Sequence, residues 1–190
     1  YGTYSGSFDG TDDYVSVSHN TNLNLTTVFT YEAWVKRAGG LGNNKNIIAK
    51  NNLSSNITGA PTWYFDTNNK VNFVVQALEV IGGGNTAITD TTSWHHLAIT
   101  RDSSNNWKWY LDGNPDGSVV KSRTVTANTE NFYIGTGANG NYFNGLIDEA
   151  AVYNVALSAG TINEHYSSDY YSSGTYTSPT IDLGQKADLT

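Results

Sequence analysis

The stretch "HHLAITRDSSNNWKWYLDG", His95 to Gly113, decides the fold. In its first half Leu97 and Ile99 fall on one side, with His96, Ala98 and Thr100 on the other. In its second half Trp107, Trp109 and Leu111 share a side opposite Lys108 and Tyr110. Successive side chains of a strand point to opposite faces, so each half reads as a strand with one apolar face. Between them Ser103 to Asn106 supplies turn-forming residues, which makes the pair a hairpin. One-sided alternation of this kind belongs to antiparallel sheets packed face to face over a shared core.

The same signature repeats outward along the chain. Strand-like runs include "DYVSVSH", "TYEAWVKR", "NIIAKN", "TWYFDT", "KVNFVVQA", "GSVVKSRTV", "NFYIGTG" and "GLIDEAAVYN". They are parted by turn-forming stretches such as "AGGLGNNK", "TNN", "GGGNT", "DGNPDG" and "GANGN". A second hairpin is expected in "FDTNNKVNF", turning at Asn68 and Asn69. The helical candidate is "LSAGTINEHYSS", capped by Ser158 with Ile162 and Tyr166 four apart; a turn or two is expected, interrupted by Gly160. Many short strands and almost no helix predict an all-β jelly-roll β-sandwich of two antiparallel sheets. Residues 1–171 are expected to form that domain. Residues 172–190, Ser/Thr-rich and carrying Pro179, read as a linker or the start of a following domain, with an extra edge strand as the alternative.

Composition narrows the function classes. The 190 residues suffice for one sizeable core. A net charge of −7 repels a phosphate backbone, so no nucleic-acid partner is expected. No run approaches the roughly 18 apolar residues of a membrane-spanning helix, so no membrane insertion is expected. With no cysteine there is neither disulfide nor thiolate metal site. The opening "YGTYSGSFDG" lacks a basic segment followed by an apolar one, and methionine is absent throughout. The chain therefore reads as a mature or excised part of something longer, and its Gly, Ser, Thr and Asn content suits an extracellular or cell-surface protein.

Six segments occur in order: "YSGSFDGTDDYVSV", "TYEAWVKR", "SWHHLAITRD", "WKWYLDGN", "NFYIGTG" and "FNGLIDEAAVYNVALSAGTINEHY". Together they resemble the laminin-G-like jelly-roll domain of the concanavalin A-like lectin/glucanase superfamily, over roughly Gly6 to Tyr166. The resemblance implies two curved antiparallel sheets whose first and last strands lie side by side. It also implies a structural calcium near those strands. The implied ligands here are Asp9 and Asp148, with backbone carbonyls near Gly10 and Ala150 completing a hard-oxygen shell. The plain alternative is that Asp9 and Asp13 belong to a solvated turn and Asp148 caps a bulge. The spacing of an EF-hand loop is absent.

No catalytic set emerges. Laminarinases of this superfamily carry Glu-x-Asp-x-x-Glu on one strand, two glutamates acting at retaining separation. In "GLIDEAAVY" Leu146 stands at the first of those positions and Ala151 or Val152 at the second. Glu32 and Glu79 are isolated and are expected to be surface or strand-edge carboxylates. His95 and His96 are adjacent on a strand and point apart, so they do not share an ion. No G-x-S-x-G or H-E-x-x-H is present. Aromatic residues make up 13% of the chain, and flat rings in loops can stack on sugars. Trp63, Trp107 and Tyr142 are the expected exposed rings, and Trp34, Trp94 and Trp109 are expected in or against the core. Sequons at Asn24, Asn52 and Asn56 matter only in a glycosylating host.

The expected function is a non-catalytic extracellular lectin-like or adhesive module with structural calcium, inside a larger surface or secreted protein. Its expected partners are a glycan or surface-protein ligand and neighbouring domains. A structural or assembly domain of a surface layer, fibre or virion is the alternative, and a glycan-active enzyme a third.

Overall fold

The computed structural model describes residues 5–55, 57–75, 79–137 and 140–168. The 172–190 linker expectation lies outside them. Twelve strands are described: β1 (Gly6–Asp9), β2 (Val15–Val17), β3 (Phe29–Arg37), β4 (Lys45–Lys50), β5 (Pro61–Phe65), β6 (Lys70–Val75), β7 (Glu79–Ala87), β8 (His95–Arg101), β9 (Asn106–Leu111), β10 (Asn114–Val120), β11 (Phe132–Ile134) and β12 (Asn144–Tyr153). They form two six-stranded sheets, ordered β1-β12-β3-β8-β9-β10 and β2-β11-β4-β5-β6-β7. Every pairing is antiparallel, giving the jelly-roll sandwich the alternation predicts.

The core lies between the sheets. Phe29 stacks on Phe73 at 5.8 Å between ring centres and meets Trp107 edge-on at 5.5 Å. Leu97, Ile99, Trp107 and Trp109 all point inward, as their alternation requires. The two expected hairpins turn by one device. Asp66 Oδ1 accepts the N–H groups of Asn68 and Lys70, while Asn69 takes φ 62°. Asp102 Oδ1 accepts those of Ser104 and Asn106, while Asn105 takes φ 62°. Asn tolerates this left-handed conformation better than most residues.

Two stretches read as turns are strand. "DGNPDG" contributes Asn114 and Pro115 to β10, which is an edge strand, where a missing N–H is tolerated. "GGGNT" lies inside β7. A Cβ at Gly83 would stand 2.5 Å from Asn72 Oδ1 and one at Gly84 2.2 Å from Asp116 Oδ2, so these glycines permit close approach.

The first and last strands are neighbours: Gly6 lies opposite Ile147 and Asp9 opposite Asn144. The helix, α1 (Ala159–Ser167), is longer than expected, because Gly160 sits in its first turn and does not interrupt it. Ser158 Oγ accepts the Thr161 N–H at 3.0 Å as the N-cap. Ile162 packs with Ala98 and Tyr110 on the outer face of the first sheet. No helix among the described residues is long and apolar enough to cross a membrane.

Candidate ligand-binding rim

The structure corrects two of the three rings expected to meet a ligand. Trp63 and Trp107 are both 0% exposed. Each alternates with another core residue, Phe65 and Trp109, and so is committed to the interior. Tyr142 is half-buried at the sandwich rim. It belongs to a cluster whose outermost ring is Tyr14, 43% exposed. Tyr14 meets Tyr133 edge-on at 5.7 Å and lies tilted against Tyr142 at 6.4 Å. Tyr133 stands on β11 and Tyr142 just before β12, so an early segment and a late one, distant in sequence, supply one aromatic platform. The other tryptophans divide: Trp109 is core, whereas Trp34 lies on the outer face, stacked on Tyr166 of α1 at 5.7 Å.

Beside Tyr14 is the acidic turn. Asp9, Asp12 and Asp13 are exposed, and each offers a carboxylate oxygen within 4.8 Å of the others. Backbone donors hold part of this turn. The N–H groups of Thr11 and Asp12 reach Asp9 Oδ1 at 2.7 and 3.4 Å, and the Asp9 N–H reaches Asp13 Oδ2 at 3.0 Å. Gly10 takes φ 83° and packs against Asn144, whose Cβ would be 2.9 Å from an added Cβ.

Asp148 does not join them. The strands meet as the resemblance implies, but Asp9 lies opposite Asn144, four residues from Asp148. At about 3.3 Å per residue that is about 13 Å along β12. Asp148 instead lies opposite Trp34, its Oδ1 accepting the Glu149 N–H at 2.9 Å. Ala150 lies in the irregular stretch between Asp148 and Ala151, on that same distant part of β12. The implied set Asp9, Gly10, Asp148 and Ala150 therefore cannot form one calcium shell. Among the described residues, Asp9, Asp12 and Asp13 are the carboxylates that converge.

Glu32 is a further correction, being buried rather than at a surface. It is 3% exposed beneath α1. Tyr153 Oη donates to its Oε1 at 3.0 Å, and His165 Nδ1 lies 2.9 Å from the same oxygen. His96 Nε2 is 3.9 Å from Oε2. The hydrogen bond to Glu32 raises the His165 pKa, whereas burial lowers that of His96. Buried beneath the helix, this network links β3 and β12 to α1. His95 points away from it to Asp112, at 2.9 Å. Glu79 is held by Lys121 and Arg123, each at 2.7 Å.

A groove of about 490 Å³ runs along the outer face of the first sheet beside α1, with Lys108, Tyr110, Ser118 and Ala159 among its lining. Thr100 and Ser118 flank Lys108 across the strands. It offers concavity, but Tyr110 is 4% exposed, so the groove presents little aromatic face.

A family model for the laminin G type of the concanavalin A-like lectin/glucanases superfamily matches residues 9–163. No curated protein sequence matches the chain. Among solved structures, the CBM40 domain of the Ruminococcus gnavus IT-sialidase has 13% identity and a TM-score of 0.67, over 86% of this chain and 98% of that one. Domain 4 of AbnA, an extracellular arabinanase from Geobacillus stearothermophilus solved with arabinotriose, has 18% identity and a TM-score of 0.59, over 84% and 75%. A candidate carbohydrate-binding protein from Bacteroides ovatus has 18% identity and a TM-score of 0.65 over 84% of this chain. The chain spans 46% of the length of that protein and 42% of the binding domain of Paraclostridial Mosquitocidal Protein 1. At these identities the likeness is one of fold.

Proposed function

The chain belongs to the concanavalin A-like lectin/glucanase superfamily through its laminin G-type domain, a fold that fixes no chemistry by itself, and from its own rim we propose that it is a non-catalytic glycan-binding module. The observation that carries the reading is the exposed ring of Tyr14, set against Tyr133 and Tyr142 beside three carboxylates. A ring face packs against the C–H surface of a sugar, and adjacent carboxylates accept hydrogen bonds from its hydroxyl groups. The presence of sugar-binding domains among the solved structures of this fold supports the same reading.

Calcium belongs to this proposal on a revised set of ligands. Asp9, Asp12 and Asp13 supply hard oxygen atoms close enough to meet one ion, and no soft ligand competes. When bound, the ion would offset their mutual repulsion and stiffen the turn that carries Tyr14. A non-enzymatic role is supported by Glu32, sealed beneath α1, and Glu79, ion-paired to two cations. The setting proposed is extracellular, as one module of a longer protein. A purely structural or assembly role is the competing reading, and the exposed Tyr14 disfavours it.

A glycan array probed with the chain, with its Tyr14→Ala variant and with its Lys108→Ala variant tests the proposal. Binding lost in Tyr14→Ala and kept in Lys108→Ala is the expected result. Binding lost only in Lys108→Ala moves the site to the groove, and no binding by any form leaves the assembly reading.

A further inference from the structure

Lys50, at the end of β4, is 2% exposed. A lysine so enclosed ordinarily faces a carboxylate. Four atoms lie within hydrogen-bonding reach of its Nζ: Glu130 O at 2.6 Å, Asn128 Oδ1 at 2.9 Å, Asn128 O at 3.0 Å and His19 Nδ1 at 3.2 Å. None is a carboxylate oxygen. Burial of the ammonium lowers its pKa, with Glu130 acting in the opposite sense. A desolvated lysine amine is a nucleophile. Its neighbour is a carboxamide, and Cγ of Asn128 is one bond beyond the Oδ1 that Nζ already touches.

The surroundings fit acyl transfer to that amine. The Glu130 N–H donates to Asn128 Oδ1 at 3.0 Å, which polarises the carbonyl and would hold negative charge developing on that oxygen. The Asn128 amide nitrogen donates to Lys50 O at 3.2 Å, fixing which side of the amide faces the amine. Of the four atoms around Nζ, only the imidazole nitrogen of His19 is of a kind that relays a proton between two groups.

We propose that Lys50 and Asn128 join in an intramolecular isopeptide bond, with His19 as the proton carrier. His19 Nδ1 takes a proton from Nζ, and the freed lone pair attacks Cγ of Asn128. The tetrahedral carbon collapses as the carboxamide nitrogen receives that proton and leaves as ammonia, and the second proton that Nζ sheds passes through His19 to solvent, leaving a neutral amide. One C–N bond forms and one breaks, no atom is oxidised or reduced, and the chain loses NH₃. The product ties β4 to the segment preceding β11, across 78 residues of sequence. A chain with no cysteine would thereby gain a covalent staple of the kind a disulfide gives other extracellular domains.

The test is the mass of the intact full chain under denaturing conditions, followed by peptide mapping. The expected mass is lower than that of the sequence by one ammonia, about 17 Da, with Lys50 and Asn128 in two peptides that migrate as one branched species. Lys50→Arg and Asn128→Ala should each return the mass of their own sequence, and His19→Ala should lower the linked fraction. The full sequence mass in the folded wild-type chain would overturn the proposal without reference to any variant. So would a loss of ammonia confined to one linear peptide, which is a cyclised asparagine. An unchanged linked fraction in His19→Ala would overturn the assignment of His19.

Discussion

Replacing Glu32 with alanine is the perturbation that bears most on how α1 is held. Glu32 accepts from Tyr153 Oη at 3.0 Å and faces His165 Nδ1 at 2.9 Å, and Tyr153 and His165 are themselves buried. Without the carboxylate both donors stay enclosed. A buried donor left unsatisfied costs about 1–3 kcal/mol. Where the lost partner was charged and buried, removing it costs about 3–5 kcal/mol. The expected loss for Glu32→Ala is therefore about 3–5 kcal/mol, a large share of the roughly 5–15 kcal/mol that holds a typical domain. Glu32→Gln keeps an acceptor and the shape while removing the charge, so it should cost less. Urea unfolding followed by tryptophan fluorescence reads both, and Trp34, stacked on Tyr166, reports release of the helix directly. A Glu32→Ala loss under about 1 kcal/mol, with Trp34 emission unchanged, would refute the claim that this network fastens α1.

Four further outcomes follow from the same structure. The His165 pKa is raised by its bond to Glu32, so its stabilisation is full below the ordinary histidine value and is lost as pH rises through the folded value; that of His96 is lowered by burial, so its penalty grows as pH falls below the ordinary value. Stability should thus peak near about pH 6.5, and His165→Phe should flatten the alkaline limb of a melting-temperature series. Trp63→Ala, in the core, should cost about 3–5 kcal/mol in urea unfolding and leave glycan binding of the folded fraction unchanged. Gly145→Ala should fail to accumulate as folded protein in a solubility and circular dichroism assay, because its Cβ would stand 2.1 Å from the Lys36 carbonyl oxygen at φ 140°. Calorimetric titration should detect calcium uptake by the chain that Asp12→Asn weakens and Asp148→Asn leaves unchanged.

Much of the fold is written in period-two patterns that need no partner to be read. "HHLAITR" and "WKWYLDG" place their inward residues correctly, and the Asp-x-x-Asn turns at Asp66 and Asp102 are local chemistry. The expectation of an exposed Trp107 ignored that same signal, since a residue two positions from Trp109 shares its face. The glycines of β7 misled for the opposite reason: Gly83 and Gly84 answer to Asn72 and Asp116, which no local window contains. The site was legible only in part. The nearness of "FDG" to "GLIDE" followed from the resemblance, but which residue faces Asp9 is a matter of register, and a shift of four residues separates Asp148 from it. Tyr14 carries no local signal of its role, because its exposure arises from the packing of Tyr133 and Tyr142 behind it. The burial of Glu32 depends on where α1 lands, 133 residues later in the chain.

A titration tests glycan binding through the rim. The glycan with the strongest array signal is added to the chain and to Tyr14→Ala, matched for folded content, and followed by calorimetry. A ring that forms the centre of a contact contributes about 2 kcal/mol or more, so the expected affinity is lower by about thirtyfold in Tyr14→Ala, with an unchanged melting temperature. Equal affinity of the two proteins would contradict it.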